Sequence, residues 1–274
     1  MNVNQVSNSA GLYYEVYGQG DPILCLHGLG ASLFSWRHVI SPLAKNHKVI
    51  LVDFKGSGKS PKPRDSTYSI MEKVEDIYRL ILELDLSNLT LVGNSLGGGI
   101  ALLLAVRLIE EHPGRLSKLV LIDSAADKRF IPWHLKLLRS FLGPPMIYLA
   151  PSGLAARLTL RYCYYDRSKI EKDQVKAYAG PMKRGGRHAL LQTARRCVPE
   201  NADELLGRLR EITVPTLIIW GRQDKVFPLE VGELLKRAIP NSTLEVLDDC
   251  GHVPQEERPE ETIELISRFL GTAS

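Results

Sequence analysis

Residues 89–101, Leu-Thr-Leu-Val-Gly-Asn-Ser-Leu-Gly-Gly-Gly-Ile-Ala, constrain the fold of this 274-residue chain more than any other stretch. Residues 89–92 form a short apolar run of strand type. Gly93-Asn94-Ser95-Leu96-Gly97 is a G-x-S-x-G pentapeptide. From Leu96 the spacing predicts a helix that is apolar nearly all round, through Ile100, Leu103, Leu104 and Leu108. Turning from strand to helix within five residues forces the residues two before and two after the serine together. Gly93 and Gly97 give room there because neither has a Cβ. The serine is then pushed out of the turn with a strained backbone and an exposed hydroxyl, the geometry of a nucleophile elbow. The pentapeptide by itself is a weak signal. The strand before it and the buried helix after it are the context that gives it weight.

The rest of the chain repeats the alternation of strand and helix. Residues 12–17 alternate like an antiparallel strand. Continuous apolar runs at 22–26, 47–53 and 118–123 read as buried strands of parallel-sheet type. Helices are predicted near 35–45 and over 70–84, where Ile70, Val74, Ile77, Ile81 and Leu84 keep helical spacing. After Asp123 the alternation stops. Residues 124–206 hold helical segments, an apolar patch at 141–150 and a tyrosine cluster at Tyr162, Tyr164 and Tyr165, but no convincing buried strand. Strands resume at 214–220 and 243–247, with helices opened by Pro228 and Pro259. The pattern predicts a mostly parallel sheet covered on both faces, with an insertion at its carboxyl edge. Ligands bind at that edge in open α/β sheets, so the insertion is expected to act as a lid.

A serine hydroxyl needs a base at neutral pH, and the base needs an acid to fix its tautomer. His252 follows a strand end, in Asp248-Asp249-Cys250-Gly251-His252. Asp224 lies four residues beyond the strand ending at Trp220. The order Ser95, Asp224, His252 is the one expected for such a sheet. Asp123, at the end of the strand before the insertion, is a rival acid. The developing oxyanion needs two backbone N–H groups. Leu96, at a helix N-terminus, and Leu29, in His27-Gly28-Leu29-Gly30, are the candidates. His27 itself comes too early in the chain to be the base and reads as structural. Two phosphate-type motifs compete with this reading. Gly28-Leu29-Gly30 with Asp53 approaches a dinucleotide fingerprint, but Leu33 stands where the third glycine belongs. Gly56-Ser57-Gly58-Lys59-Ser60 looks like the end of a P-loop, but Asp53 replaces its first glycine, and Pro61 and Pro63 fall where its helix should begin.

Taken together, these segments resemble the α/β-hydrolase superfamily over nearly the whole chain. The matching pieces are His27-Gly28-Leu29-Gly30, residues 53–60, Gly93-Asn94-Ser95-Leu96-Gly97-Gly98, Gly221-Arg222-Gln223-Asp224 and Gly251-His252. The resemblance implies an α/β fold with a mostly parallel eight-stranded sheet flanked by helices and a helical cap inserted after strand six. The core would be residues 1–123 and 207–274, and the cap residues 124–206. It also implies Ser95 as nucleophile, His252 as general base, Asp224 as orienting acid, and Leu29 and Leu96 as oxyanion donors. Epoxide hydrolases and haloalkane dehalogenases of the superfamily carry aspartate at the nucleophile position, so Ser95 argues against both. The elbow is similar to that of carbon–carbon bond hydrolases acting on ring-cleavage products. Those usually place a tryptophan after the catalytic histidine, where this chain has Val253, and an arginine in the cap, for which Arg187, Arg195 and Arg196 are candidates.

The expected activity is hydrolysis of a small carboxylic ester through an acyl-enzyme. The alternatives are carbon–carbon hydrolysis of a vinylogous diketo acid and a ligand receptor on a hydrolase fold. Residues 124–206 carry 15 Lys and Arg against 7 Asp and Glu, a balance of +8, while the rest of the chain stands at −4. Such a lid attracts an anionic substrate or an acidic carrier protein. Arg187, Tyr164 and Trp133 are the candidate substrate contacts beneath it. No cofactor or metal is expected. Four scattered cysteines without C-x-x-C spacing fit a reducing cytoplasm. No signal-peptide layout occupies residues 1–11, and the longest strongly apolar run, residues 100–106, is too short to span a bilayer. Neither nucleic acid nor membrane is expected as a partner, and monomer and homodimer both stay open.

Overall fold

A computed structural model describes residues 11–182 and 185–272. The signal-peptide expectation falls almost wholly on residues 1–10, outside the described residues. The apolar runs become β1 (Tyr13–Tyr17), β2 (Pro22–Leu26), β3 (Lys48–Asp53), β4 (Leu89–Asn94), β5 (Leu116–Ile122), β6 (Thr216–Gly221) and β7 (Ser242–Leu247). They form one sheet in the order β1-β3-β2-β4-β5-β6-β7. Only β1 runs antiparallel, against β3. The other pairings are parallel. Eight strands were expected. The described residues hold seven, so the insertion follows the fifth of them.

Three core helices precede the insertion: α1 (Arg37–Leu43), α2 (Ile70–Glu83) and α3 (Leu96–Glu111). The insertion contributes α4 (Trp133–Arg139), α5 (Gly143–Leu149), α6 (Ser152–Cys163), α7 (Lys172–Ala179), α8 (Gly186–Arg196) and α9 (Ala202–Arg208). After it come α10 (Leu229–Ala238), α11 (Pro254–Glu257) and α12 (Pro259–Leu270). The sheet is apolar on both faces because helices cover both. Leu24, Leu26, Ile50 and Val52 pack with Ile77, Ile81, Ile100, Leu104 and Val231 of α2, α3 and α10. Their strand neighbours Ile23, Cys25, Val49 and Leu51 point the other way, onto Trp36, Val39, Leu265 and Ile266 beside α1 and α12. The period of two along each strand thus divides one apolar run between two cores.

The short helix α11 was not foreseen, and it joins the insertion to the core. Glu256 is buried and accepts hydrogen bonds from Gln174 and Tyr178 of α7, and it pairs with Arg37 of α1. Burial raises the Glu256 carboxyl above its ordinary range, against the pull of the Arg37 guanidinium. Glu257 accepts the backbone N–H groups of Asp166 and Gly251 at 2.6 and 2.8 Å, one from the insertion and one from the loop after β7.

Candidate active site

The parallel register aligns the strand ends. Leu26 pairs with Gly93, Asn94 with Ile122, Ile122 with Ile219 and Gly221 with Leu247. The residues that follow these strands therefore emerge at one edge of the sheet. Ser95 sits there with φ 56° and ψ −119°, a backbone that L-residues rarely adopt, at the N-terminus of α3. Its N–H donates to the Ile122 carbonyl at 3.0 Å. The two glycines are required by close approach. A Cβ on Gly93 would lie 2.4 Å from the Gly97 carbonyl oxygen, and one on Gly97 would lie 2.1 Å from that of Leu26. Asn94 ties the elbow to its surroundings, its Nδ2 donating to the Ile122 and His252 carbonyls, both at 3.1 Å.

His252 is held from two sides. Its backbone N–H donates to the Cys163 carbonyl of the insertion at 2.7 Å, and its Nδ1 lies 2.8 Å from Asp224 Oδ2. Asp224 Oδ1 accepts the N–H groups of Val226 and Phe227 at 2.6 and 3.2 Å. A carboxylate fixed by two amides on one oxygen and by an imidazole on the other is not a solvated turn residue. Of the two candidate acids, Asp224 is the one that faces His252. Asp123 lies just behind it. Its Oδ1 accepts the Gly221 N–H at 3.0 Å, and its Oδ2 has no hydrogen-bond partner among the described residues. Complete burial and the neighbouring Asp224 carboxylate raise the Asp123 carboxyl well above the usual carboxylate range. Ligand-type atoms of Asp123, Asp224 and His252 lie within 4.8 Å of one another. His252 Nδ1 and both Asp224 oxygens are already bonded to one another or to backbone, which leaves few unengaged ligand atoms for an ion.

Ser95, Leu96, Leu29 and His252 face one cavity of about 590 Å³. The Leu29 and Leu96 amides make no hydrogen bond among the described residues. Gly28 brings the Leu29 loop against the elbow, for a Cβ there would stand 3.3 Å from Ser95 Cβ. Most of the cavity wall is aliphatic and aromatic, from α3 and from α4, α5, α6 and α9. Three charged residues among those described reach it, Asp127, Lys128 and Arg187. Asp127 pairs with Arg129 and Lys128 with Asp203. Arg187 donates to the carbonyls of Tyr148 and Ala150, at the end of α5.

The expected substrate contacts divide accordingly. Trp133 lines the cavity, and its indole N–H donates to the Tyr162 hydroxyl at 3.1 Å. Arg187 also reaches the wall, with its guanidinium turned to helix-end carbonyls. Tyr164 does not line the cavity. Its ring is buried under the insertion, and its hydroxyl accepts from Gln174 at 2.6 Å, in the cluster that anchors α7. Tyr162, two residues earlier, faces the cavity instead and donates to the Lys225 carbonyl. Tyr162 lies in the last turn of α6 and Tyr164 just beyond its end, so the two side chains leave the helix in different directions.

The glycine-rich loops serve the fold. His27 Nε2 accepts the Phe54 N–H at 3.2 Å, Nδ1 lies 2.8 Å from the Gly28 carbonyl oxygen, and burial favours the neutral ring. Asp53 accepts the Leu33 and Lys59 N–H groups at 2.8 and 2.7 Å. The loop over residues 54–60 thus folds around a carboxylate, which excludes a phosphate from the same amides.

Residues 21–259 match the family described as alpha/beta hydrolase fold. A 2-hydroxymuconate semialdehyde hydrolase of a Pseudomonas species is 30% identical over 263 residues, covering 93% of this chain and 89% of that one. Monoacylglycerol lipase abhd6-A of Xenopus laevis is 30% identical over 266 residues, covering 93% of this chain and 77% of the lipase. Among solved structures, 2-hydroxy-6-oxo-6-phenylhexa-2,4-dienoate hydrolase from a Rhodococcus species superimposes with a TM-score of 0.83. It is 25% identical and covers 98% of this chain and 99% of its own.

Proposed function

Because the chain belongs to the α/β-hydrolase fold family, we propose that it is a serine hydrolase that cleaves carboxylic esters with an apolar acyl group. The observation that carries this reading is the cavity beside Ser95, whose charged residues are all engaged with other protein groups. An apolar acyl chain gains by leaving water there, whereas a substrate carboxylate meets no unpaired cation among the described residues.

In this reading Ser95 Oγ attacks the ester carbonyl while its proton passes to His252 Nε2. Asp224, bonded to Nδ1, keeps the imidazole in the accepting tautomer and balances the imidazolium. The N–H groups of Leu29 and Leu96 hold the oxyanion, the second aided by the N-terminus of α3. Collapse of the tetrahedral intermediate expels the alcohol, which takes its proton from His252. Water then cleaves the acyl-enzyme by the same steps in reverse roles. Residues 124–206 serve as the cap that excludes water and supplies the acyl pocket.

Ser95→Ala is expected to lower kcat on p-nitrophenyl butyrate by at least about 10⁴-fold with the fold intact by circular dichroism. Wild-type turnover in that variant would remove the assignment. Carbon–carbon hydrolysis is the second reading, favoured by relatives whose names specify such substrates. Rapid bleaching of a yellow dienoate by the wild type, with esters turned over more slowly, would select it.

A further inference from the structure

Residues 128–165 contain six Lys and Arg and not one Asp or Glu. Nine of the ten large hydrophobic side chains exposed among the described residues fall in this same stretch. They include Phe141 at 84% and Leu149 at 81% exposure, with Trp133, Met146, Tyr148 and Leu154 around them. Lys136, Arg139, Arg157 and Arg161 are exposed and make no ion pair among the described residues. Helices α4, α5 and α6, all of which contribute to the cavity wall, thus present exposed apolar side chains together with cations that make no ion pair among the described residues, and residues 128–165 carry no anion. Exposed aromatic and aliphatic side chains cluster in this way where a surface is meant to be covered.

We propose that this face docks onto an anionic phospholipid surface, with Phe141 and Leu149 entering the boundary between headgroups and acyl chains. Lys136, Arg139, Arg157 and Arg161 would meet the phosphates. The apolar and the basic elements supply the two signals that reversible membrane attachment requires. Side chains as exposed as Phe141 and Leu149 need no matching pocket on a lipid surface, whereas a protein partner would have to provide one. Trp133, Met146, Leu154 and Leu158 belong both to the exposed face and to the wall of the cavity. Docking therefore places the route to Ser95 against the bilayer, where a lipid ester enters without crossing water. That last consequence rests on the ester-hydrolase reading, while the docking does not. The sequence-based expectation of no membrane partner considered spanning segments alone, and no helix among the described residues is long and apolar enough to span.

Vesicle co-sedimentation of the full chain tests the proposal. Wild-type protein should pellet with phosphatidylcholine vesicles containing half phosphatidylglycerol, at least tenfold more than with phosphatidylcholine alone, and 0.5 M NaCl should release most of it. Lys136→Gln with Arg139→Gln should weaken binding roughly thirtyfold. Phe141→Asp with Leu149→Asp should abolish it. None of these four residues lines the cavity, so hydrolysis of soluble p-nitrophenyl butyrate should stay at the wild-type level in both variants. Failure of that soluble activity in the wild type would count against the ester reading and leave the binding result standing. Equal binding to neutral and anionic vesicles, or full binding by the Phe141 and Leu149 double variant, would overturn the proposal. So would a dimer by light scattering that the same double variant dissolves, since the face would then belong to a second copy of the chain.

Discussion

Asp123 and Asp224 show how neighbouring carboxyls acquire different states. Asp224 accepts two backbone N–H groups and faces His252, while Asp123 accepts one N–H and is fully buried. Burial and the charge of Asp224 shift Asp123 toward its neutral form. Asp123→Asn keeps a neutral side chain of the same shape, so kcat/KM at pH 7 should stay within about threefold of wild type. Asp123→Ala removes the group behind Asp224 and should cost roughly tenfold or more. The pH dependence of stability follows from the direction of the shift. Folded Asp123 holds its proton at higher pH than the unfolded chain does. Its contribution is therefore full below the ordinary aspartate pKa of about 3.9, and it falls as pH rises toward the raised folded value. Asp123→Asn should gain melting temperature relative to wild type from pH 4 upward, and thermal unfolding across pH 4–8 checks the sign. A constant difference across that range would mean that Asp123 ionises normally.

Among the elements, α11 does more than its four residues suggest. Glu256 and Glu257 reach into the insertion and also hold the His252 loop and α1. Glu256→Ala would leave Arg37 without its buried partner and remove an acceptor from Gln174 and Tyr178. A loss of about 3 kcal/mol in chemical denaturation is expected. Glu256→Gln should lose less because it keeps the shape and one acceptor. The other helices follow the sequence closely. The 3.6-residue spacing at residues 70–84 became α2, and proline opened α10 and α12 near where expected. Helix α11 escaped notice because a proline followed by three polar and charged residues carries no apolar period. Their burial depends on partners far away in sequence, 82 residues for Gln174 and 219 for Arg37.

For the molecule as a whole, a sheet core and a helical insertion divide the candidate site between them. The core supplies Ser95, Asp224 and His252, and most of the cavity volume is walled by apolar groups of the insertion and α3. If those groups hold an acyl chain, kcat/KM on p-nitrophenyl esters should rise roughly fourfold per added methylene from acetate, until the cavity is filled. Steady-state rates on acetate through octanoate measure this, and a flat series would argue that the acyl group lies elsewhere. The charge surplus of residues 124–206 is real, but those cations that reach the cavity are paired or bonded to carbonyls. Among the described residues, Lys136, Arg139, Arg157 and Arg161 are exposed and do not line the cavity, so their charge lies on the surface of the insertion.

The strands, the elbow and the chain order of Ser95, Asp224 and His252 were legible from the chain because each depends on local rules. Apolar runs set strands, and residues after strand ends share one edge of a parallel sheet. Missing Cβ atoms permit the tight turn at Gly93 and Gly97. Contacts between distant segments were not legible. Tyr162 and Tyr164 have the same side chain two positions apart, yet one faces the cavity and the other locks α7 to the core. Asp123 and Asp224 are both aspartates beyond strand ends, and only folding determines which one meets the imidazole. Side-chain type prescribes what a group is able to do, and the packing of segments far apart in sequence selects the partner with which it does it.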